Sequence, residues 1–151
     1  MPTAALATTG SVLTATEYNY LPRGIVARAT YSTANQTGIT TITDLTSCSV
    51  TFTATSGRYY MIVAQTLMAS SAATQYGRLV LRNGAGTELF ATYAYLTNGE
   101  YATNTLIHVS SSLSGSTTLK LSANLPGGSG TLTIGHSVQP TSITVLDMAV
   151  A

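Results

Sequence analysis

The residues that could carry out acid–base, nucleophilic or metal chemistry are few and scattered in this 151-residue chain. It has two histidines, His108 and His136, and a single cysteine, Cys48. Histidine and cysteine alone do not complete a zinc site here, so carboxylates would have to supply further ligands. The five carboxylates are Glu17, Asp44, Glu88, Glu100 and Asp147, and their spacing does not suggest that any of them converge on one site. We therefore expect no metal ion and no cofactor.

Nucleophilic catalysis is not indicated by any recognisable motif. The chain contains the residue types of a Ser/His/Asp triad, so its composition alone leaves that arrangement open. It lacks the Gly-x-Ser-x-Gly motif that presents a serine nucleophile on a tight turn. The glycine clusters at 84–86 and 127–130 have no following lysine or helix pattern, which is typical of hairpin turns and not of phosphate sites. We predict that the protein is not an enzyme, with a small secreted hydrolase as the remaining enzymatic alternative.

The charge of the chain argues against two large classes of partner. Charged residues make up 7% of the sequence and the net charge is +1, whereas ordinary soluble domains are about 25% charged. Nucleic acids and anionic membranes are bound through dense clusters of lysine and arginine, so we expect neither as a partner. Disorder is also excluded, because 44% of the residues are apolar.

Hydroxyl side chains fill the polar positions that charged residues leave vacant, with 28 Thr and 16 Ser. Threonine is β-branched and favours strands, so this composition points to a sheet protein. The longest uninterrupted apolar stretch, from Tyr59 to Ala64, has six residues and is too short for a membrane helix of about 20. Residues 1–13 carry no basic segment, so a secretory signal is not expected.

Apolar and polar residues alternate along most of the chain, which is typical of half-buried antiparallel strands. From Ser47 to Thr55, Cys48, Val50, Phe52 and Ala54 share one face, and serine and threonine occupy the other. Turn sequences such as Ser-Gly and Asn-Gly separate the segments. The pattern predicts an all-β sandwich or barrel of ten strands at 25–31, 39–43, 47–55, 59–69, 76–83, 87–96, 102–110, 117–123, 131–136 and 142–148.

Two of these strands are apolar on both faces, which points to an oligomer. Because the chain shows no helices that could cover a sheet, the second face is expected to pack against another subunit. Tyrosine suits such a contact, since it offers apolar area and a hydroxyl. The alternative is a thick monomeric core that uses both faces. The predicted homo-oligomer interface consists of Tyr59, Met61, Val63, Leu67, Leu89, Tyr93 and Tyr95.

The first 23 residues differ from the rest and predict two regions, an extended arm at 1–23 and a sandwich at 24–151. Residues 1–16 are rich in alanine and threonine, and aromatic residues then gather before Pro22. The segment is too short to fold alone and could pack along a neighbouring protein by adding a strand. A disordered terminus is the alternative. The residues expected to make this contact are Leu6, Val12, Leu13, Tyr18, Tyr20, Leu21 and Arg23.

Two arginines share a predicted strand face with an aromatic residue. Arg78 and Arg82 alternate with Tyr76 and Val80, and such a face could stack on bases or sugars. With only six basic residues in the chain, we interpret these arginines as solvated side chains or as contacts at the rim of an interface.

Several short segments resemble a domain that recurs in virion structural proteins of tailed bacteriophages, especially those of actinobacteria. They are Leu21-Pro22-Arg23-Gly24, Gln36-Thr37-Gly38-Ile39-Thr40, Thr43-Asp44-Leu45-Thr46, Ser49-Val50-Thr51-Phe52-Thr53 and Gly57-Arg58-Tyr59-Tyr60. The ending Ile143-Thr144-Val145-Leu146-Asp147-Met148 is similar to that family's terminal strand, although Leu146 stands where an acid is usual.

This resemblance implies a jelly-roll sandwich, often trimeric, that binds the phage head or forms a knob on a tail fibre. We therefore expect a capsid decoration or minor capsid protein, made in the bacterial host cytoplasm and located on the capsid surface of the virion. Its partners would be two further copies of itself and the major capsid protein, which it would bind through the arm. The alternative is a tail-fibre or receptor-binding tip that contacts a glycan of the host surface.

Overall fold

The part of the chain that the structure describes is built from ten β-strands. The computed structural model describes Tyr18 and residues 21–72, 75–127 and 129–150. The all-β prediction is confirmed, and nine of the strands lie within a few residues of their predicted bounds. The strands are β1 (Gly24–Tyr31), β2 (Gln36–Ile39), β3 (Thr43–Ala54), β4 (Arg58–Ser70), β5 (Gln75–Asn83), β6 (Glu88–Leu96), β7 (Tyr101–Ser110), β8 (Gly115–Asn124), β9 (Leu132–Ile134) and β10 (Thr141–Val150).

Two antiparallel sheets face each other. The first has the order β1-β10-β4-β7, and β9 and β2 extend it beyond the end of β10 along the same edge of β4. The second has the order β3-β8-β5-β6. The chain alternates between the sheets so that strands neighbouring in a sheet are mostly distant in sequence. This connectivity is that of a jelly roll, so the predicted sandwich is confirmed and its barrel alternative is not.

Local alternation decided which side chains form the core between the sheets. In β3 the predicted inner residues Cys48, Val50, Phe52 and Ala54 are all buried, and their threonine neighbours are exposed. The ring of Phe52 packs against that of Tyr60, with centroids 5.4 Å apart. Buried apolar side chains of both sheets join this core, which holds the two layers together.

The second predicted strand, 39–43, is wrong in position. The observed β2 ends at Ile39, and β3 begins at Thr43 after a short bend. The amide of Gln36 causes part of this shift, because its Nε2 donates to the Asp44 carbonyl and its Oε1 accepts from the Thr46 backbone N–H. These bonds fold the chain back between the two strands, which alternation alone does not reveal.

A buried ion pair links the start of the sandwich to its last strand. Arg58 of β4 and Asp147 of β10 are both 2% exposed. The Nε of Arg58 donates to both carboxylate oxygens of Asp147, at 2.9 and 2.7 Å, and its Nη2 donates to the Leu21 carbonyl at 2.6 Å. The backbone N–H of Arg23 donates to the Asp147 carbonyl. The point at which the N-terminal segment joins the sandwich is thereby fixed.

Candidate functional site

The two histidines lie in settings that suit packing better than catalysis. His136 is fully buried, and its Nδ1 lies 2.7 Å from the hydroxyl of Thr141, which in turn bonds the hydroxyl of Thr66. No carboxylate belongs to this chain of contacts, and burial lowers the pKa of His136. His108 stacks on Phe90 with ring centroids 5.3 Å apart.

Other reactive groups are also kept apart. Burial raises the pKa of the Cys48 thiol to about 11, so little thiolate forms near neutral pH. Within the described part of the chain, no three His, Cys, Asp or Glu side chains gather into a group that could hold a metal ion. No helix in the same residues is long and apolar enough to span a bilayer. The surfaces of the two sheets are therefore the candidates for function.

The outer surface of the first sheet carries a contiguous aliphatic patch, which we call the aliphatic face. Strand register places Met61 of β4 between Leu146 of β10 and Val109 of β7. The same register extends the row to Ile25 of β1. In the adjacent row Val63 lies opposite Ile107. The six residues of the aliphatic face are Ile25, Met61, Val63, Ile107, Val109 and Leu146.

The aliphatic face is open to solvent in the monomer. Ile25, Ile107 and Val109 are 60%, 57% and 55% exposed, and the other three are partly buried by their neighbours. Polar residues border it, because Thr144 and Arg28 continue one row and Gln65 and Thr105 form the next. Exposed aliphatic patches with a polar rim mark contact surfaces for proteins.

The outer surface of the second sheet is aromatic and polar instead. Tyr76 of β5 lies opposite Tyr95 of β6, with ring centroids 5.5 Å apart in an edge-to-face arrangement. One pair further along, the guanidinium of Arg78 lies 5.8 Å from the ring centroid of Tyr93. The three tyrosines are 57%, 54% and 59% exposed in the order Tyr76, Tyr95, Tyr93. We call Tyr76, Tyr93, Tyr95 and Arg78 the tyrosine face.

Ion pairs hold the two arginines of this sheet. Arg78 and Arg82 pair with Glu88 and Asp44 and keep 20% and 21% of their side-chain exposure, so they are not freely solvated, and a contact at the rim of an interface stays a prediction. Lys120 also reaches Asp44, at 2.6 Å. Three cations therefore share two carboxylates on this sheet.

The carboxyl group of Asp44 is kept ionised by this network. Burial by itself raises its pKa, but hydrogen bonds from Lys120 and Ser122 and the charges of Lys120 and Arg82 outweigh burial, so the pKa is lowered. The Ser122 hydroxyl donates to Asp44 at 2.5 Å. The polar band beside the tyrosine face is thus a set of paired charges with a net charge of about +1.

The structure divides the predicted interface residues between two surfaces that point in opposite directions. Tyr59, Met61 and Val63 lie on the outer side of the first sheet, whereas Leu67 is buried, with the Gly135 segment after β9 close to its side chain and bonded to its carbonyl. Tyr93 and Tyr95 lie on the second sheet, and Leu89 lies at the irregularity where β6 and β5 change register. One flat contact does not contain both sets.

Sequence reasoning missed four members of the aliphatic face. They are Ile25, Ile107, Val109 and Leu146; the last three alternate with more buried residues, whereas Ile25 lies beside a bulge of β1. The consecutive apolar residues Leu106 and Ile107 were the available signal, since one of two successive strand residues must face outward.

Of the predicted arm residues, only three belong to the described part of the chain. Tyr18 and Leu21 are exposed, and Arg23 is exposed at the entry to β1. The other predicted arm residues, Leu6, Val12, Leu13 and Tyr20, lie outside the described residues.

Comparisons with known proteins add similarity of fold. No protein-family model matches this chain, and no curated protein matches it. Among solved structures, the Eiger TNF of S. frugiperda is 14% identical with a TM-score of 0.49, covering 85% of this chain and 96% of that one. The infectious bursal virus derived T=1 particle protein is 14% identical with a TM-score of 0.46, and the match covers 85% of this chain and 37% of that one.

A carbohydrate-binding module from Cellvibrio mixtus lichenase 5A, solved with cellotriose, is 17% identical with a TM-score of 0.43 and covers 80% of this chain and 96% of that one. These similarities are too distant to say what the chain binds. The jelly-roll assignment rests on the strand order described above, and the resemblance to tailed-phage virion proteins stays a prediction.

Proposed function

We propose that this protein is a structural component of a virion, a capsid decoration protein that assembles as a homotrimer on the head of a tailed bacteriophage. The observation that carries the proposal is the aliphatic face. It places six apolar side chains side by side on a sheet whose opposite surface already forms the core. Burying such a surface in a contact is favourable, by roughly 25 cal/mol per Å² of apolar area removed from water.

A second copy is the occupant that fits this face best. The chain has few charges to keep monomers dispersed, and proteins near zero net charge tend to associate. Three aliphatic faces turned toward a common axis would bury one another and close the assembly. A contact between the aliphatic face of one copy and the tyrosine face of the next would instead continue as an open stack, because the two faces point in opposite directions.

Binding to the shell is assigned to the N-terminal arm in this proposal. The buried Arg58–Asp147 pair holds the base of the arm at Leu21 and Arg23. A trimer would present three such bases with a defined separation, so that one trimer could bridge neighbouring capsid subunits. Bridging stabilises the assembled shell by mass action, since the bound trimer adds binding free energy only to the assembled state.

Light scattering coupled to size-exclusion chromatography tests the assembly. We expect the full chain to have the mass of a trimer and Ile107→Lys to be a monomer, because the substitution puts a charge within the aliphatic face. Thr53→Lys is the matched control, since Thr53 is exposed near an edge of the second sheet. A monomeric wild-type chain at micromolar concentration contradicts the trimer.

Co-sedimentation with phage heads that lack this protein tests the decoration function. We expect the full chain to saturate the heads at a stoichiometry that matches their symmetry. A variant lacking residues 1–17 should stay trimeric but fail to sediment, since it keeps Leu21 and its bond to Arg58. If the full chain does not bind heads, the proposed decoration function is wrong, even if light scattering shows a trimer.

A further inference from the structure

We propose that the tyrosine face binds an uncharged glycan by stacking sugar rings on Tyr93 and Tyr95. This goes beyond the decoration function and does not depend on it. The two residues are separated by one position on β6 and project from the same side. Their rings are therefore about 7 Å apart along the strand, which makes two neighbouring stacking positions.

The exposure of the rings supports a ligand that stacks. Tyr76, Tyr93 and Tyr95 are each more than half exposed, although an aromatic ring of this size is stabilised by burial. A pyranose presents a face of C–H groups, which is apolar, and a rim of hydroxyls. It can therefore cover a ring while its hydroxyls bond to the tyrosine hydroxyls and to polar groups nearby.

Polar groups beside the tyrosine rings could hydrogen-bond to the hydroxyls of a sugar. Arg78 lies beside Tyr93 and holds its Nη2 on Glu88. Its Nε and the Oδ1 of Asn124, at the paired position of β8, are buried and have no hydrogen-bond partner. An unpaired donor and an unpaired acceptor therefore lie at paired positions of β5 and β8, and sugar hydroxyls that displace the side chains covering them can bond to each. Leaving buried polar atoms unpaired is unfavourable, so a ligand that bonds to them gains affinity.

The charges indicate an uncharged ligand. Arg78, Arg82 and Lys120 are each paired with a carboxylate, so the face carries no cluster of unpaired cations. An acidic glycan or a nucleic acid would have to displace these carboxylates to reach the cations.

A glycan fits this surface better than a protein does. Ile25, Ile107 and Val109, which are each more than half exposed, lie together on the opposite sheet in the aliphatic face. Beside the tyrosines the surface is polar instead, since Asn124 of β8 pairs with Arg78, which in turn lies opposite Tyr93. In the proposed trimer the tyrosine face points away from the axis, where a host or environmental glycan could reach it.

The test begins with an array of neutral oligosaccharides and affinity electrophoresis in gels containing neutral glucans, mannans, galactans or arabinans. We expect the full chain to bind at least one of these probes. Tyr93→Ala and Tyr95→Ala should each weaken that binding by about tenfold or more, whereas Tyr95→Phe should keep most of it because the ring remains.

The matched control is Tyr59→Ala, which removes an exposed tyrosine from the first sheet and should leave sugar binding unchanged. Thermal unfolding of each variant checks that the fold is intact. The proposal is overturned if no neutral probe binds at millimolar concentration, if only acidic glycans bind, or if binding survives both alanine substitutions. It is also overturned if Tyr93→Ala dissociates the oligomer, which would assign the face to a protein contact.

Discussion

Replacing Asp147 with asparagine should destabilise this protein more than any comparable change at its surface. Asp147 is 2% exposed and accepts from Arg58 through both carboxylate oxygens. Asparagine keeps the size of the side chain but loses the negative charge. One of its two terminal atoms becomes a donor that faces the guanidinium, so the buried cation of Arg58 meets a neutral side chain in place of the carboxylate.

The magnitude follows from the burial of both partners. Breaking a buried pair by removing one partner costs about 3–5 kcal/mol, a large part of the roughly 5–15 kcal/mol that stabilises a typical domain. For a chain of this length 1 kcal/mol shifts the melting temperature by about 2–4 °C, so we expect Tm to fall by roughly 6–20 °C. The backbone bond from Arg23 to the Asp147 carbonyl should remain, since it does not involve the side chain.

Urea and thermal unfolding followed by circular dichroism measure this effect. Asp44→Asn is the control, because the side chain of Asp44 is 46% exposed and also pairs with two cations. Exposed pairs contribute about 0–1 kcal/mol, so the control should lose far less stability. A second test replaces both partners, as Arg58→Met with Asp147→Leu, and should lose less than the two single changes together. If Asp147→Asn costs no more than Asp44→Asn, the reasoning about the buried pair is wrong.

Three further predictions concern buried positions. Because burial lowers the pKa of His136, the unfolded chain takes up a proton below pH about 6.5 more readily than the folded chain. The free energy of unfolding should therefore fall between pH 7.5 and 5.5, and His136→Gln should reduce this dependence. The Cys48 thiol, with its pKa raised to about 11, should not react with a disulfide reagent at pH 8 until urea unfolds the chain; rapid reaction of the native protein would contradict its burial. A Cβ at Gly77 would lie 2.7 Å from Leu96 Cδ1, so Gly77→Ala should cost about 1–3 kcal/mol through overpacking, measured as a lower Tm.

Much of the fold could be predicted because alternation is a local property. The inward residues of β3, from Cys48 to Ala54, follow from a period of two that each residue shares with its neighbours. The same period predicted that β4 has apolar residues on both faces. In the structure Tyr60 lies in the core and Met61 lies on the outer surface. The position of β2 was missed because side-chain bonds of Gln36 bend the chain, and such bonds leave no periodic signal.

The candidate surfaces depended on strand order, which alternation does not contain. The predicted interface combined Met61 with Tyr93 because each lies in a strand that is apolar on both faces. These two strands, however, belong to different sheets. Only the pairing of β4 with β7 and β10 brings Met61 beside Val109 and Leu146.

The sequence by itself determined the residue types and the local period, and therefore an all-β protein with few charges and many hydroxyls. The tertiary structure alone decided which residues meet. Arg58 and Asp147 are 89 residues apart, and Tyr76 and Tyr95 become neighbours only when β5 pairs with β6. The physical reason is that the direction of a side chain depends on its own strand, whereas a shared surface depends on the register between strands.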